Sequence, residues 1–179
     1  MDNIENIKNI ENMDDVMHVI KRDGSKETVS FDKISQRLKT LSEGNESQSA
    51  LSINYLELAQ KVCVDIYSGV HTHEIDTLAA QTCAALITSK MDYGILASRL
   101  AISNHHKKTS PSFSETIQLL YENKNRHGKS SPLINNDVYS VVTKHKKKLN
   151  QIIDYKRDYD IDYFGFKTLE RSYLLKACG

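Results

Sequence analysis

Lys21 and Arg22 stand side by side ahead of an Asp23-Gly24 turn signal, and Glu27, Thr28, Val29, Ser30, Phe31, Asp32 and Lys33 run from that turn into a helical pattern. Thr72 heads another such pattern further on. A hairpin packed over both helix starts would gather ammonium and guanidinium groups, hydroxyls and free backbone N–H groups in one place. The chemistry of that set is anion binding. The first N–H groups of a helix lack intrahelical partners, the helix dipole favours negative charge there, and charged donors bind phosphate strongly. No GxxxxGK[ST] loop and no GxGxxG fingerprint occurs, so neither of those phosphate cradles explains the site. Taken singly, Lys21 and Lys33 would be ordinary solvated lysines.

The elements that must position these residues are legible in the pattern. Val16 to Lys21 and Thr28 to Phe31 are β-prone runs, and Asp23-Gly24 suits a tight hairpin turn between them. Asp32 is placed to cap a helix carrying Ile34, Leu38 and Leu41, closed by Gly44. A second helix runs from Ile53 toward Tyr67. A third opens at Thr72 with Glu74 and Asp76 in its first turn and a stripe of Ile75, Leu78, Ala79, Thr82 and Leu86. Met91-Asp92 separates it from a fourth, with Tyr93, Leu96, Ala97, Leu100 and Ala101 on one face. Ser110-Pro111 marks a domain boundary. Beyond it the pattern predicts a helix over Phe113 to Tyr121, a polar loop over Asn123 to Pro132, and one or two helices over Val138 to Ile153, broken near Lys144-His145-Lys146-Lys147-Lys148. Thr168 is read as the cap of a last helix, Leu169 to Lys176, with Gly165, Phe166 and Leu169 as packing residues. The NIE-NIK-NIE repeat before Met13 steps by three and drifts around a helix, so residues 1–15 read as a mobile leader.

Composition bounds the function. Lys+Arg 24 against Asp+Glu 23 is too balanced for a dedicated nucleic-acid binder. No apolar run approaches the roughly 20 residues of a membrane span, and the acidic N-terminus lacks a signal core. Cys63, Cys83 and Cys178 have neither disulfide-framework nor zinc spacing, so a reduced, cytoplasmic setting is expected, with Cys63 and Cys83 as core residues. His105-His106 invites a metal reading, but adjacent helical residues point about 100° apart, so no metal site is assigned.

Several ordered blocks carry a specific resemblance. Met17-His18-Val19-Ile20-Lys21-Arg22-Asp23-Gly24 and Val29-Ser30-Phe31-Asp32-Lys33-Ile34 are similar to the opening of the ATP-cone, the regulatory nucleotide-binding domain of ribonucleotide reductases. Tyr67-Ser68-Gly69-Val70, Glu74 to Ala80, Asp92-Tyr93 and Leu96 to Ala101 continue it in order. Tyr163 to Lys176 resembles the segment leading toward the barrel of the class I large subunit, of the eukaryotic and large-DNA-virus type. The resemblance implies an α+β, mostly helical fold: a β-hairpin capping a four-helix bundle over residues 16–109, then a helical part over 112–179 that stops before a ten-stranded α/β barrel. It implies ATP and dATP as allosteric effectors, with Mg²⁺, held by Lys21, Arg22, Glu27, Thr28, Val29, Ser30, Phe31, Asp32, Lys33, Thr72, Asp76 and Lys107. In that transfer Lys33 and Lys107 neutralise phosphates and Asp76 senses ATP against dATP. Ser25 departs from the basic residue relatives often carry there.

The same resemblance implies a homo-oligomer of large subunits and a small radical-generating subunit as partners in the full enzyme. The thiyl cysteine, redox pair and carboxylate of that enzyme lie in its barrel. No catalytic residue and no redox cofactor is therefore assigned to this chain, which is expected to regulate rather than reduce. Two alternatives stand beside this: a non-enzymatic fragment docking onto complete large subunits, and a free-standing ATP-cone transcription regulator. The latter pairs the cone with a zinc ribbon, and the leader has no cysteine.

Overall fold

The computed structural model describes residues 16–45 and 48–174. The leader over 1–15, Cys178 and the end of the last expected helix lie outside them. A three-stranded sheet forms from β1 (His18–Ile20), β2 (Lys26–Thr28) and β3 (Val70–His71), in the order β2-β1-β3. β1 and β2 are the expected hairpin, with Val19 opposite Glu27. Gly24 takes φ 82°, and the turn is closed by the Lys21 N–H donating to the Ser25 carbonyl at 2.8 Å. The third strand is an addition to the expected hairpin: β3 runs parallel to β1, pairing Val19 with Val70.

Four helices carry the core beneath this sheet: α1 (Phe31–Glu43), α2 (Tyr55–Val64), α3 (Thr72–Ala85) and α4 (Met91–His106). Contacts run α1 to α2, α2 to α3, α3 to α4 and α4 back to α1. Their shared interior holds Leu38, Leu58, Val62, Cys83, Leu96, Leu100 and Ile102, all essentially solvent-free. Arg99 is buried among them because its guanidinium donates to the Leu41 carbonyl at 2.9 Å and to the Ser49 carbonyl at 2.7 Å. It satisfies a carbonyl that the end of α1 leaves unpaired and one in the loop that follows.

Three local expectations are corrected. The cap of α1 is Ser30, whose hydroxyl accepts from the Lys33 N–H at 3.3 Å. Phe31 is already helical, so Asp32 falls in the first turn, where it complements the dipole. In α3 the first-turn acid is Glu74, which accepts from the His71 N–H at 3.0 Å, whereas Asp76 lies further in and is buried. Thr168 stands at the expected position before Leu169 but makes no side-chain capping bond. It has helical φ −65° and ψ −46° and ends α7 (Tyr163–Thr168), whose cap is Asp162, and a π-helical turn (Leu169–Tyr173) continues from it.

Past α4 lie α5 (Phe113–Tyr121), a bridged loop joining Lys124 to Ser130, and α6 (Asn136–Ile152). The lysine run does break α6: His145 leaves helical geometry at φ −112° and ψ 17°. A 3₁₀ segment (Tyr155–Asp160) then leads to α7, which packs on α4 and delivers Tyr163 and Phe166 into the main core. Gly165 is half-buried, but Leu169 is exposed and adds nothing to that packing, because the π-helical turn carries it away from α4. Cys83 is buried as expected, while Cys63 is only half-buried. No helix among the described residues is long and apolar enough to cross a membrane.

Candidate functional site

The hairpin roofs a cavity of about 210 Å³ whose floor is apolar: Val19, Ile34, Leu38, Ile75, Ala79 and Leu100. Its walls come from three directions. The hairpin contributes Lys21, Arg22, Glu27, Thr28 and Val29; the first turns of α1 and α3 contribute Ser30, Lys33 and Thr72; the end of α4 contributes Lys107. Both helix N-termini thus face one space, as the hairpin-over-helices reading requires. Apolar floors with a few convergent polar groups are the usual form of small-molecule sites.

Two carboxylates organise the cations. Glu27, in the middle of the sheet edge, pairs with both Lys21 and Lys33. Asp76, only 7% exposed, receives Arg22 at 3.3 Å, Arg37 at 3.2 Å and Lys107 at 3.8 Å. Burial pulls the Lys107 ammonium below its ordinary value, and the neighbouring Asp76 works against that effect. Arg22 also donates to the Asn104 side-chain oxygen at 2.6 Å, and the Asn104 amide in turn donates to the His73 carbonyl at 3.0 Å. Arg37 donates to Ser103 at 2.8 Å. Five cations against two carboxylates leave the lining net positive by three charges. Such a wall favours a multiply charged anion.

Of the residues marked from sequence, Lys21, Arg22, Glu27, Thr28, Val29, Ser30, Lys33, Thr72, Asp76 and Lys107 all line this cavity. Phe31 and Asp32 do not: Phe31 is exposed, and Asp32 lines a shallow depression on the outer face of α1 with Gln36 and Thr40. Arg37 and Asn104 were missed. Arg37 lies four residues after Lys33, hence on the same helix face, and that spacing was the available signal. Asn104 carried none, since its role depends on where α4 ends relative to the hairpin tip. Among the described residues no group of three His, Cys, Asp or Glu side chains could hold a metal ion.

A sheet-roofed, cation-lined cavity over paired helix starts has the form of an anion-binding small-molecule site, and residues 17–108 match the ATP cone domain. The chain belongs to the ATP-cone family. Over 164 residues it is 48% identical to the ribonucleoside-diphosphate reductase large subunit of Dictyostelium discoideum, covering 91% of this chain and 19% of that one. The Arabidopsis thaliana large subunit is 51% identical over 164 residues, covering 91% of this chain and 20% of its own. That of Monkeypox virus is 49% identical over 161 residues, covering 89% and 20%. The chain therefore spans about a fifth of the length of the curated relatives it matches.

Proposed function

We propose that the cavity is the effector site of a ribonucleoside-diphosphate reductase large subunit and binds ATP and dATP. The observation that carries this reading is the meeting of two helix N-termini and five cations over an apolar floor. The floor suits a base, and the cationic wall suits a triphosphate. Lys21, Arg22, Lys33 and Lys107 would hold phosphates, Ser30 and Thr72 would offer hydroxyls beside free N–H groups, and Glu27 would accept from base or sugar. Phe31 and Asp32 act from outside the cavity in this reading, through the geometry of the α1 start. Mg²⁺ would arrive with the nucleotide, held mainly by phosphate oxygens, as is usual for that ion.

Asp76 would tell the two effectors apart. A ribose hydroxyl is a small difference, and a buried polar group that pairs with it discriminates far better than an apolar wall. Because Asp76 binds cations from the hairpin, α1 and α4, a changed contact there would be felt in three elements at once. That is the coupling needed for ATP to favour an active assembly and dATP an inhibited one. In this reading residues 16–109 are the regulatory domain, built as a four-helix bundle under the sheet, and 112–179 the helical part docked on it. The partners would be further large subunits and a small radical-generating subunit, in the cytoplasm.

Calorimetric titration of ATP and dATP tests the assignment. Both should bind the wild-type chain, Lys21→Ala should weaken both by about tenfold or more, from the loss of about 1.5–3 kcal/mol of charged hydrogen bonding, and Asp76→Asn should change their ratio. Unchanged affinity in Lys21→Ala would sink it.

A further inference from the structure

A second, more open cleft lies beside the cavity at the hairpin tip. Lys21, Arg22 and Lys107 line both spaces, and the cleft adds Lys108 and two histidines, His71 and His73, at the start of α3. No carboxylate lines this cleft among the described residues. The two imidazoles lie together, ring centroids 5.2 Å apart. His71 is exposed and takes part in the capping box at the start of α3, whereas His73 is half-buried beside it.

We infer that this cleft takes the far end of the effector's phosphate chain, and that His73 makes polyphosphate binding proton-linked. The inference rests on the nucleotide reading of the adjoining cavity and extends it to residues which that reading does not use. The cavity's own cations are already committed in part to Glu27 and Asp76, whereas Lys108 and the imidazoles face the cleft without an acidic partner there. Phosphate oxygens leaving the cavity past Arg22 and Lys107 therefore enter a space where every charge is positive or can become so.

The groups facing His73 fix the direction of the linkage. From the hairpin come Lys21 and Arg22; from the end of α4, Lys107 and Lys108. From its own helix comes Glu74, whose carboxylate is already engaged by the His71 N–H and the Tyr67 hydroxyl. Burial, with Lys108, Arg22 and His71 beside it, holds the imidazole below its ordinary value, and Glu74 opposes this only in part. At neutral pH it is mostly uncharged. A phosphate placed beside it favours the imidazolium, so binding takes up a proton and strengthens as pH falls.

The test is calorimetry of the 179-residue chain with ATP and with AMP, at several pH values and in buffers of different ionisation enthalpy. ATP affinity should rise by about threefold or more from pH 8 to pH 6, because the bound phosphate favours the imidazolium. The ATP phosphate itself titrates near about pH 6. The diagnostic quantity is therefore the difference between the wild type and a His71→Gln/His73→Gln variant, in which that contribution cancels. Proton uptake should appear with ATP, be absent with AMP, and fall away in the double variant. His73→Lys should bind ATP at pH 8 about as tightly as the wild type does at pH 6. Equal pH profiles in wild type and double variant, or equal proton uptake with ATP and AMP, would overturn the inference while leaving the cavity's nucleotide reading intact. Failure of ATP to bind the wild type at any pH would instead overturn that reading, and this one with it.

Discussion

Asp76 and Cys83 occupy the same helix and show two ways a polar atom survives burial. Asp76 is paired with three cations that reach its carboxylate from the hairpin, α1 and α4. Cys83 is fully buried among apolar neighbours, and the loss of water pushes its thiol up to about 12. The thiolate is the reactive form, so the folded chain should protect Cys83 from iodoacetamide at pH 8 and release it only in denaturant, as mass spectrometry of the alkylated peptides would show. A linked effect follows with a definite sign. The unfolded thiol deprotonates near its ordinary 9.0, whereas the folded one holds its proton to about 12. Between those values the folded state binds more protons, so stability from this group is complete below pH 9 and falls as pH rises. Urea midpoints measured from pH 8 to pH 10.5 should decline, and Cys83→Ala should decline less steeply.

Elements differ in how plainly the sequence announces them. The α1 stripe, the Gly44 stop and the lysine-marked break in α6 follow from periodicity and breaker residues, and each stands where its residues place it. β3 has two residues and no period to read, so it exists only because the chain after Tyr67 returns beside β1. Capping is as local as periodicity but more finely poised: Ser30 and Asp32 are both good capping residues, and the helical geometry of Phe31 decides between them. The site was legible in the same degree. Residues near the hairpin and the two helix starts announce themselves by type and order, while Arg37, Asn104 and the apolar floor belong to helix faces whose neighbours only the fold determines. Gly44 supplies the test at this scale. It ends α1 at φ 75° and ψ −157°, and a Cβ there would lie 2.7 Å from the Gln48 carbonyl oxygen. Gly44→Ala should cost about 2–3 kcal/mol in chemical denaturation, from backbone strain and that clash. Ser30→Ala should cost about 1 kcal/mol, the usual value of a lost cap.

Among the described residues, α1 to α4 share their interior with α7. The Ser98 hydroxyl donates to the Ile161 carbonyl at 2.5 Å, His106 meets Asp158 at 2.7 Å, and His105 lies edge-on to Phe166. Phe166 is 8% exposed and belongs to the same cluster as Leu100 and Cys83. Phe166→Ala should therefore destabilise the chain as one cooperative unit, by about 3–5 kcal/mol, and a single shifted transition in calorimetry would show it. The sheet order carries a further consequence, one of chronology. β1 is central, between a neighbour a few residues away and one that lies past α1 and α2 in the chain. A short two-stranded hairpin is marginal in water, so the roof of the cavity waits for that distant strand. During synthesis the hairpin's share of the cavity lining emerges before the rest of that lining exists. The cavity closes only after α3 and the end of α4 have followed the hairpin out, so a ligand of this cavity meets no finished site until α4 is complete.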